Sequence, residues 1–163
     1  MASFTKVDER VESASEKRVR IFLAVLFFLQ TAVTTIPFIQ GKVMIDGEEG
    51  YTTMTALNLL IQPNGYADKS SFPLAAIGAI LVIFPMVAFF FCVLDSKSKA
   101  KYFVSGLCSI VCAVVITFGL ASVISIGAII TLVLNIICLF MTSQGFQATS
   151  MRIRKQNLNQ NNQ

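Results

Sequence analysis

The stretch YFVSGLCSIVCAVVITFGLASVISIGAIITLVLNIICLFMTS, from Tyr102 to Ser143, holds roughly forty residues without one charge, about twice what a single helix needs to cross a hydrocarbon core. It reads as two crossings, over 102–122 and 127–144, joined by a tight outer turn at 123–126. Upstream, Phe72–Leu94 is apolar throughout and opens with Pro73 in its first turn, where the missing N–H costs nothing. Further upstream, Ile21–Gln40 (IFLAVLFFLQTAVTTIPFIQ) is again long enough to cross. It reads as a first span and not as a cleaved signal, because the twenty residues before it are mixed in charge and no small-x-small site follows.

The sequence therefore predicts an all-α integral membrane protein, a bundle of four transmembrane helices. Composition agrees: 55% of the residues are apolar, 13% are charged against about 25% in soluble domains, and mean hydropathy is +0.70. Helices follow from the bilayer, in which every backbone group must be paired within its segment or in a closed barrel.

Charge sets the orientation. Residues 1–20 carry Lys6, Arg10, Lys17, Arg18 and Arg20, the 95–101 loop carries Lys97, Lys99 and Lys101, and the tail 145–163 carries Arg152, Arg154 and Lys155. The 41–71 loop has only Lys42 and Lys69 against Asp46, Glu48, Glu49 and Asp68, a net of −2. Basic residues favour the cytoplasmic side, so both termini are expected inside and the acidic loop outside, in the plasma membrane. The basic rim itself is explained by orientation and contact with anionic lipid.

The outer loop is too small to bury a core of its own and must lean on the helices. Val43–Ile45, a Gly47–Gly50 turn and Tyr51–Thr55 read as a short hairpin. Beyond it, Met54, Leu57, Leu60 and Ile61 fit a helical face, while Thr53, Thr55, Leu57, Leu59 and Ile61 fit strand alternation. Pro63, Asn64 and Gly65 break either pattern. The tail after Lys155, QNLNQNNQ, has the composition of a disordered segment.

No His is present, which excludes His-based acid–base catalysis, His metal sites and Ser-His-Asp or Cys-His arrangements. Cys92, Cys108, Cys112 and Cys138 fall at roughly one depth, but no C-x-x-C spacing occurs and no cation is at hand to lower a thiol pKa. They read as small buried hydrophobes. No metal, cofactor or catalytic set is expected.

Two intramembrane patterns remain. Gln30 and Asn135 lie near mid-membrane, with Thr34 and Thr35 beyond Gln30 and Thr117 at similar depth. This polar zone holds no ionisable group, so it is structural glue between helices or the lining of a path for an uncharged solute. The second pattern is Ser105, Ser109, Ala113, Thr117 and Ala121, small residues every fourth position, which permit close helix packing. Pro37 and Pro85 are expected to kink or loosen spans one and two.

Four spans with both termini inside, a larger first outer loop and a very short second one resemble the claudin-like layout in outline. That family's first loop carries a Trp-rich motif and a cysteine pair. This chain has no Trp, and no Cys between Gly41 and Ser71, so no residue roles carry over. The expected function is protein–protein interaction, as an accessory or assembly subunit of a membrane complex. The alternative is a small oligomeric channel or carrier for an uncharged or weakly polar solute. Expected partners are the lipid bilayer and a second copy or another membrane protein. Nucleic acid has no aromatic or fold support, and an enzyme comes third, since it would have to use Asp or Glu of the outer loop or a Cys thiol and nothing points to a substrate.

Overall fold

The computed structural model describes residues 12–45, 48–61, 74–95, 98–120 and 124–161. Helix α1 spans Ala14–Val33. Strands β1, Pro37–Ile45, and β2, Glu48–Thr55, follow, then the short helix α2, Ala56–Ile61. Three long helices complete the chain: α3 (Leu74–Leu94), α4 (Ala100–Val114) and α5 (Ile126–Asn161). A wider π turn, Val115–Gly119, extends α4. Among the described residues, three helices are long and apolar enough to cross a membrane, over Ala75–Leu94, Ala100–Gly119 and Ile126–Arg152.

Helix α1 begins and ends where its side chains dictate. Ser13 and Glu16 form a reciprocal capping box: the Glu16 amide donates to Ser13 Oγ at 3.3 Å, and the Ser13 amide donates to Glu16 Oε2 at 2.9 Å. At the other end the Thr34, Thr35 and Ile36 amides donate to Thr31, Ala32 and Val33 carbonyls, a tightened last turn. Pro37 then forbids continuation, since its ring disfavours helical geometry at Ile36. The expected Ile21–Gln40 span is thus corrected at its outer end. The helix stops at Val33, and Pro37 opens a strand instead of kinking a helix. By contrast, α3 runs through Pro85 as one helix.

The hairpin is present but longer than expected. β1 and β2 pair antiparallel from Ile45↔Glu48 to Ile39↔Met54, with an irregularity between Pro37 and Ile39. Pro37–Gln40 therefore belong to the sheet, and Glu48–Gly50 pair in the ladder where a turn was expected. Strand passes directly to helix at Thr55, whose hydroxyl accepts from the Asn58 amide at 3.0 Å. The two readings of the loop's back half thus meet at that residue. Helix α2 buries Ala56 and Leu59 and turns Leu57 and Ile61 outward, while Pro63–Gly65 lie outside the described residues.

This outer cap is seated by two glycines. A Cβ on Gly78 of α3 would lie 2.5 Å from the Leu60 amide nitrogen of α2, and one on Gly127 of α5 would lie 2.6 Å from the Pro37 carbonyl. The Ser125 amide donates to the Phe38 carbonyl at 3.0 Å, and Ile39 bridges to Ile124. Phe38, Ile39, Ala56 and Leu59 join Ile77, Leu81, Ile116, Leu120 and Ala128 in the core at this end. Leu23, Phe27, Ala88, Cys92, Tyr102, Cys108 and Cys138 form a second core towards the opposite end.

The long helices are inside out by the standard of a soluble bundle. On α5 the inward positions are Thr131, Asn135, Cys138, Thr142, Gly145 and Thr149, at alternating spacings of four and three that keep one narrow seam inward. Their outward neighbours include Ile129, Val133, Ile136 and Phe140, and α4 likewise turns Ser105, Cys108, Ser109 and Cys112 inward and Phe103, Leu107, Ile110 and Phe118 outward. Water would penalise that surface, whereas lipid tails are as apolar as the side chains themselves.

The fourth-residue stripe on α4 is corrected by the same geometry. Ser105 and Ser109 are buried, Ala113 is half-buried and Thr117 is exposed. Each four-residue step overshoots a full helical turn by about 40°, so the stripe winds off the contact face. The true inward face follows four-three spacing through Ser105, Ser109, Cys112 and Ile116. Ala121 lies outside the described residues. Helix α5, finally, extends to Asn161, well past the expected end at 144, so the Asn/Gln-rich tail is helical as far as that residue. At about 1.5 Å per residue, its 36 residues are longer than a bilayer core is thick.

Candidate functional site

The structure brings together two of the five predicted polar-zone residues. Gln30 of α1 and Asn135 of α5 are both buried, and Gln30 Nε2 donates to Asn135 Oδ1 at 3.3 Å and approaches Cys138 Sγ at 3.6 Å. The other three are turned to their own helices. Thr34 Oγ1 donates to the Thr31 carbonyl at 2.6 Å, Thr35 to Ala32 at 2.8 Å, and Thr117 to Ala113 at 2.8 Å, the last two from exposed positions. A threonine that donates back to its own helix carries no polar group to a neighbour.

Thr131 was not expected in the zone but belongs to it, one turn from Asn135 on the same inward seam. Its hydroxyl has no protein partner among the described residues, and neither do Gln30 Oε1, Asn135 Nδ2, Ser109 Oγ and Thr142 Oγ1. Ser109 comes up to the Cys138 thiol without reaching hydrogen-bond geometry. Leaving a buried polar group unsatisfied costs about 1–3 kcal/mol. The signal that finds Thr131 is the three-four spacing of polar residues along 131–149.

Three of the four cysteines share one core. Cys112 packs in the core beneath the cap, and the other three lie in the second core. Cys92 Sγ meets Ser105 Oγ at 3.3 Å. Among the described residues, no three His, Cys, Asp or Glu are grouped as metal ligands.

A larger feature lies at the end of the bundle away from the cap, where sequence suggested only a solvated basic rim. Arg20 grips Glu12 through Nε at 2.9 Å and Nη2 at 3.1 Å, and its Nη1 donates to the Cys92 carbonyl in the last turn of α3 at 3.0 Å. Lys101, 3% exposed, pairs with the same Glu12 at 3.3 Å. Arg152 of α5 pairs with Glu16 of α1 at 2.9 Å. The Tyr102 hydroxyl reaches towards the Glu16 carbonyl at 3.5 Å, and its ring lies over Gly145, where a Cβ would fall 2.3 Å from Cε1. Lys99 adds a hydrogen bond to Ser150 at 3.4 Å and sits 5.5 Å from the Phe146 ring centroid. Two carboxylates thus clasp the ends of α1, α3, α4 and α5.

Glu16 is 3% exposed. Burial pushes its carboxyl up, but the Ser13 amide, the Thr149 and Ser13 hydroxyls beside it and the Arg152 charge outweigh burial and hold it below the ordinary 4.5. The carboxylate is therefore the form the clasp is built around. Breaking such a pair is costly because it strands its partner's charge, even where the intact pair adds little net stability. The sequence signal for this clasp is the Ser13-x-x-Glu16 box together with two acids lodged among basic residues.

No protein-family model, no curated protein and no solved structure matches this chain.

Proposed function

We propose that this chain is a multi-pass plasma-membrane protein of four spans with both termini cytoplasmic, which acts by protein–protein contact as an accessory or assembly subunit and not as an enzyme. The fourth span is α1. Its apolar stretch from Ile21 packs against α3 and α5, and Glu16, Lys17, Arg18 and Arg20 at its start stay at the clasped end. The basic residues of the 1–20, 95–101 and 145–163 segments then share one side and the acidic 41–71 loop lies on the other, as the positive-inside rule requires.

The observation that carries the functional reading is the Gln30–Asn135 hydrogen bond. The amide side chains of the bundle interior, Gln30 and Asn135, are buried and directed at each other, which ties α1 to α5. What remains for function is surface: apolar helix faces and a small outer cap resting on Gly78 and Gly127. A channel or carrier for an uncharged solute is the second reading, favoured by the unpartnered Ser109 and Thr142 hydroxyls on the inward faces of α4 and α5.

Native mass spectrometry after gentle extraction from the source membrane separates the two. A hetero-complex of fixed stoichiometry is expected. A homo-oligomer that passes small neutral solutes in liposomes, and loses that flux when Gln30 and Asn135 are both replaced by Leu, would establish the second reading instead.

A further inference from the structure

We propose that a water molecule is bound inside the bundle between α1 and α5, held by Gln30 Oε1, Asn135 Nδ2 and Thr131 Oγ1. The two amides make one hydrogen bond to each other, at 3.3 Å, which uses one donor and one acceptor. Turning both amides together exchanges their roles and again leaves one carbonyl oxygen and one NH2 group over, whereas turning one alone would set two like groups against each other. In the arrangement present these are Gln30 Oε1 and Asn135 Nδ2, each without a protein partner among the described residues and each on a side chain 1% exposed or less.

The third group comes from Thr131, one helical turn from Asn135 on the inward face of α5, where i and i+4 side chains are neighbours. Thr31, Thr34, Thr35, Thr117 and Thr149 all donate to carbonyls of their own helix or its cap. The Thr131 hydroxyl does not: it is 2% exposed and has no protein partner among the described residues. An acceptor, a donor and a hydroxyl able to play either role are therefore left buried and without protein partners among the described residues, on the hydrogen-bonded pair and the residue one turn from it.

That set selects its ligand. A cation would need a shell of several oxygen ligands or a charged partner, and here there are one side-chain carbonyl and one hydroxyl among Phe27, Leu26, Leu134, Cys138 and Ile130, which carry no charge. An apolar molecule would leave all three groups unmet. Water both donates and accepts, and buried water characteristically takes two to four polar partners of this kind. The inference goes beyond the interaction reading and holds whichever surface of the bundle meets a partner.

The test uses the full-length protein in nanodiscs, 15N-labelled at Asn and Gln, with rotating-frame cross-peaks measured between water and side-chain NH2 groups. The expected result is a direct water cross-peak at the Asn135 NH2 that survives in Thr131→Val, where Gln30 and Asn135 still offer two partners. An Asn135 NH2 that shows cross-peaks to aliphatic protons alone overturns the proposal. So does a water cross-peak that vanishes in Thr131→Val, since the signal then came from the threonine hydroxyl.

Discussion

Replacing Asn135 by Leu removes the partner of Gln30 Nε2 in the bundle interior. The Gln30 carbonyl oxygen already lacks a protein partner, so the variant buries a whole amide with only the Cys138 thiol, 3.6 Å away, to meet it. The expected cost is about 1–3 kcal/mol. Gln30→Leu strands Asn135 in the same way, at a similar cost. In the double variant neither amide is left to be stranded, and two apolar side chains meet where two polar ones met.

The pair should therefore couple: the double variant is expected to fall short of the summed single losses by about 0.6–2 kcal/mol, the range for hydrogen bonds between membrane helices. A chain of this length shifts its melting temperature by about 2–4 °C per kcal/mol, so each single variant should lose roughly 2–12 °C and the shortfall should be about 1–8 °C. The protein carries its own reporter, because its four cysteines are free and buried. A thiol-reactive fluorogenic dye added during a thermal ramp reads unfolding directly. Losses that add to within about 0.5 kcal/mol, as for independent sites, would refute a hydrogen-bonded link between α1 and α5.

Other consequences concern the two ends. Because the Glu16 carboxyl is held below its ordinary 4.5, its stabilisation is present above that value and is lost as pH falls through the depressed one. The melting advantage of the wild type over Glu16→Gln should accordingly be constant above about pH 5.5 and shrink steadily below 4.5, in a series of thermal ramps across that window. Glu12→Gln withdraws the charge shared by Arg20 and the buried Lys101 and is expected to cost up to about 3 kcal/mol, the lower end for breaking a buried pair, read by the same dye. Gly127→Ala drives a Cβ to within 2.6 Å of the Pro37 carbonyl and 3.0 Å of the Phe38 ring. A loss of about 1–3 kcal/mol is expected from that overpacking, with hydrogen exchange rising first at the Ser125 amide that donates to Phe38.

How much of this was legible beforehand depended on whether the cause was local. The apolar lengths of α3, α4 and α5 are properties of contiguous sequence, and they could be read directly. So could the hairpin, and counting residues placed Gln30 and Asn135 at a common depth, while their hydrogen bond is visible only in the packed bundle. The end of α1 was misplaced because hydropathy does not distinguish helix from strand in TTIPFIQ, Thr34–Gln40. Pro37, expected to kink or loosen the span, instead sets its boundary. The small-residue stripe failed at Ala113 and Thr117 because a four-residue period was followed where the helix turns every 3.6.

The clasp was missed for a different reason. Glu12, Glu16, Arg20, Lys101 and Arg152 are far apart in sequence, and each charge alone is what a solvated membrane flank would carry. Only packing of α1 against α5 places Arg152 at 2.9 Å from Glu16. Thr131 escaped notice because Thr is common in lipid-facing helices, and its inward direction emerges from the register of Asn135, Cys138, Thr142 and Thr149 taken together.

The central expectation is a bundle whose polar side faces inward and whose apolar side faces hydrocarbon. Spin labels placed singly at Ile110, Phe118, Ile136 and Phe140 in a cysteine-free background in lipid bilayers measure this by collision with molecular oxygen, which partitions into lipid, and with a water-soluble nickel chelate. All four positions are exposed in the structure and should collide readily with oxygen and hardly at all with the chelate. Strong chelate collisions at those positions would mean that water, not lipid, surrounds these helices, and would contradict the account at its base.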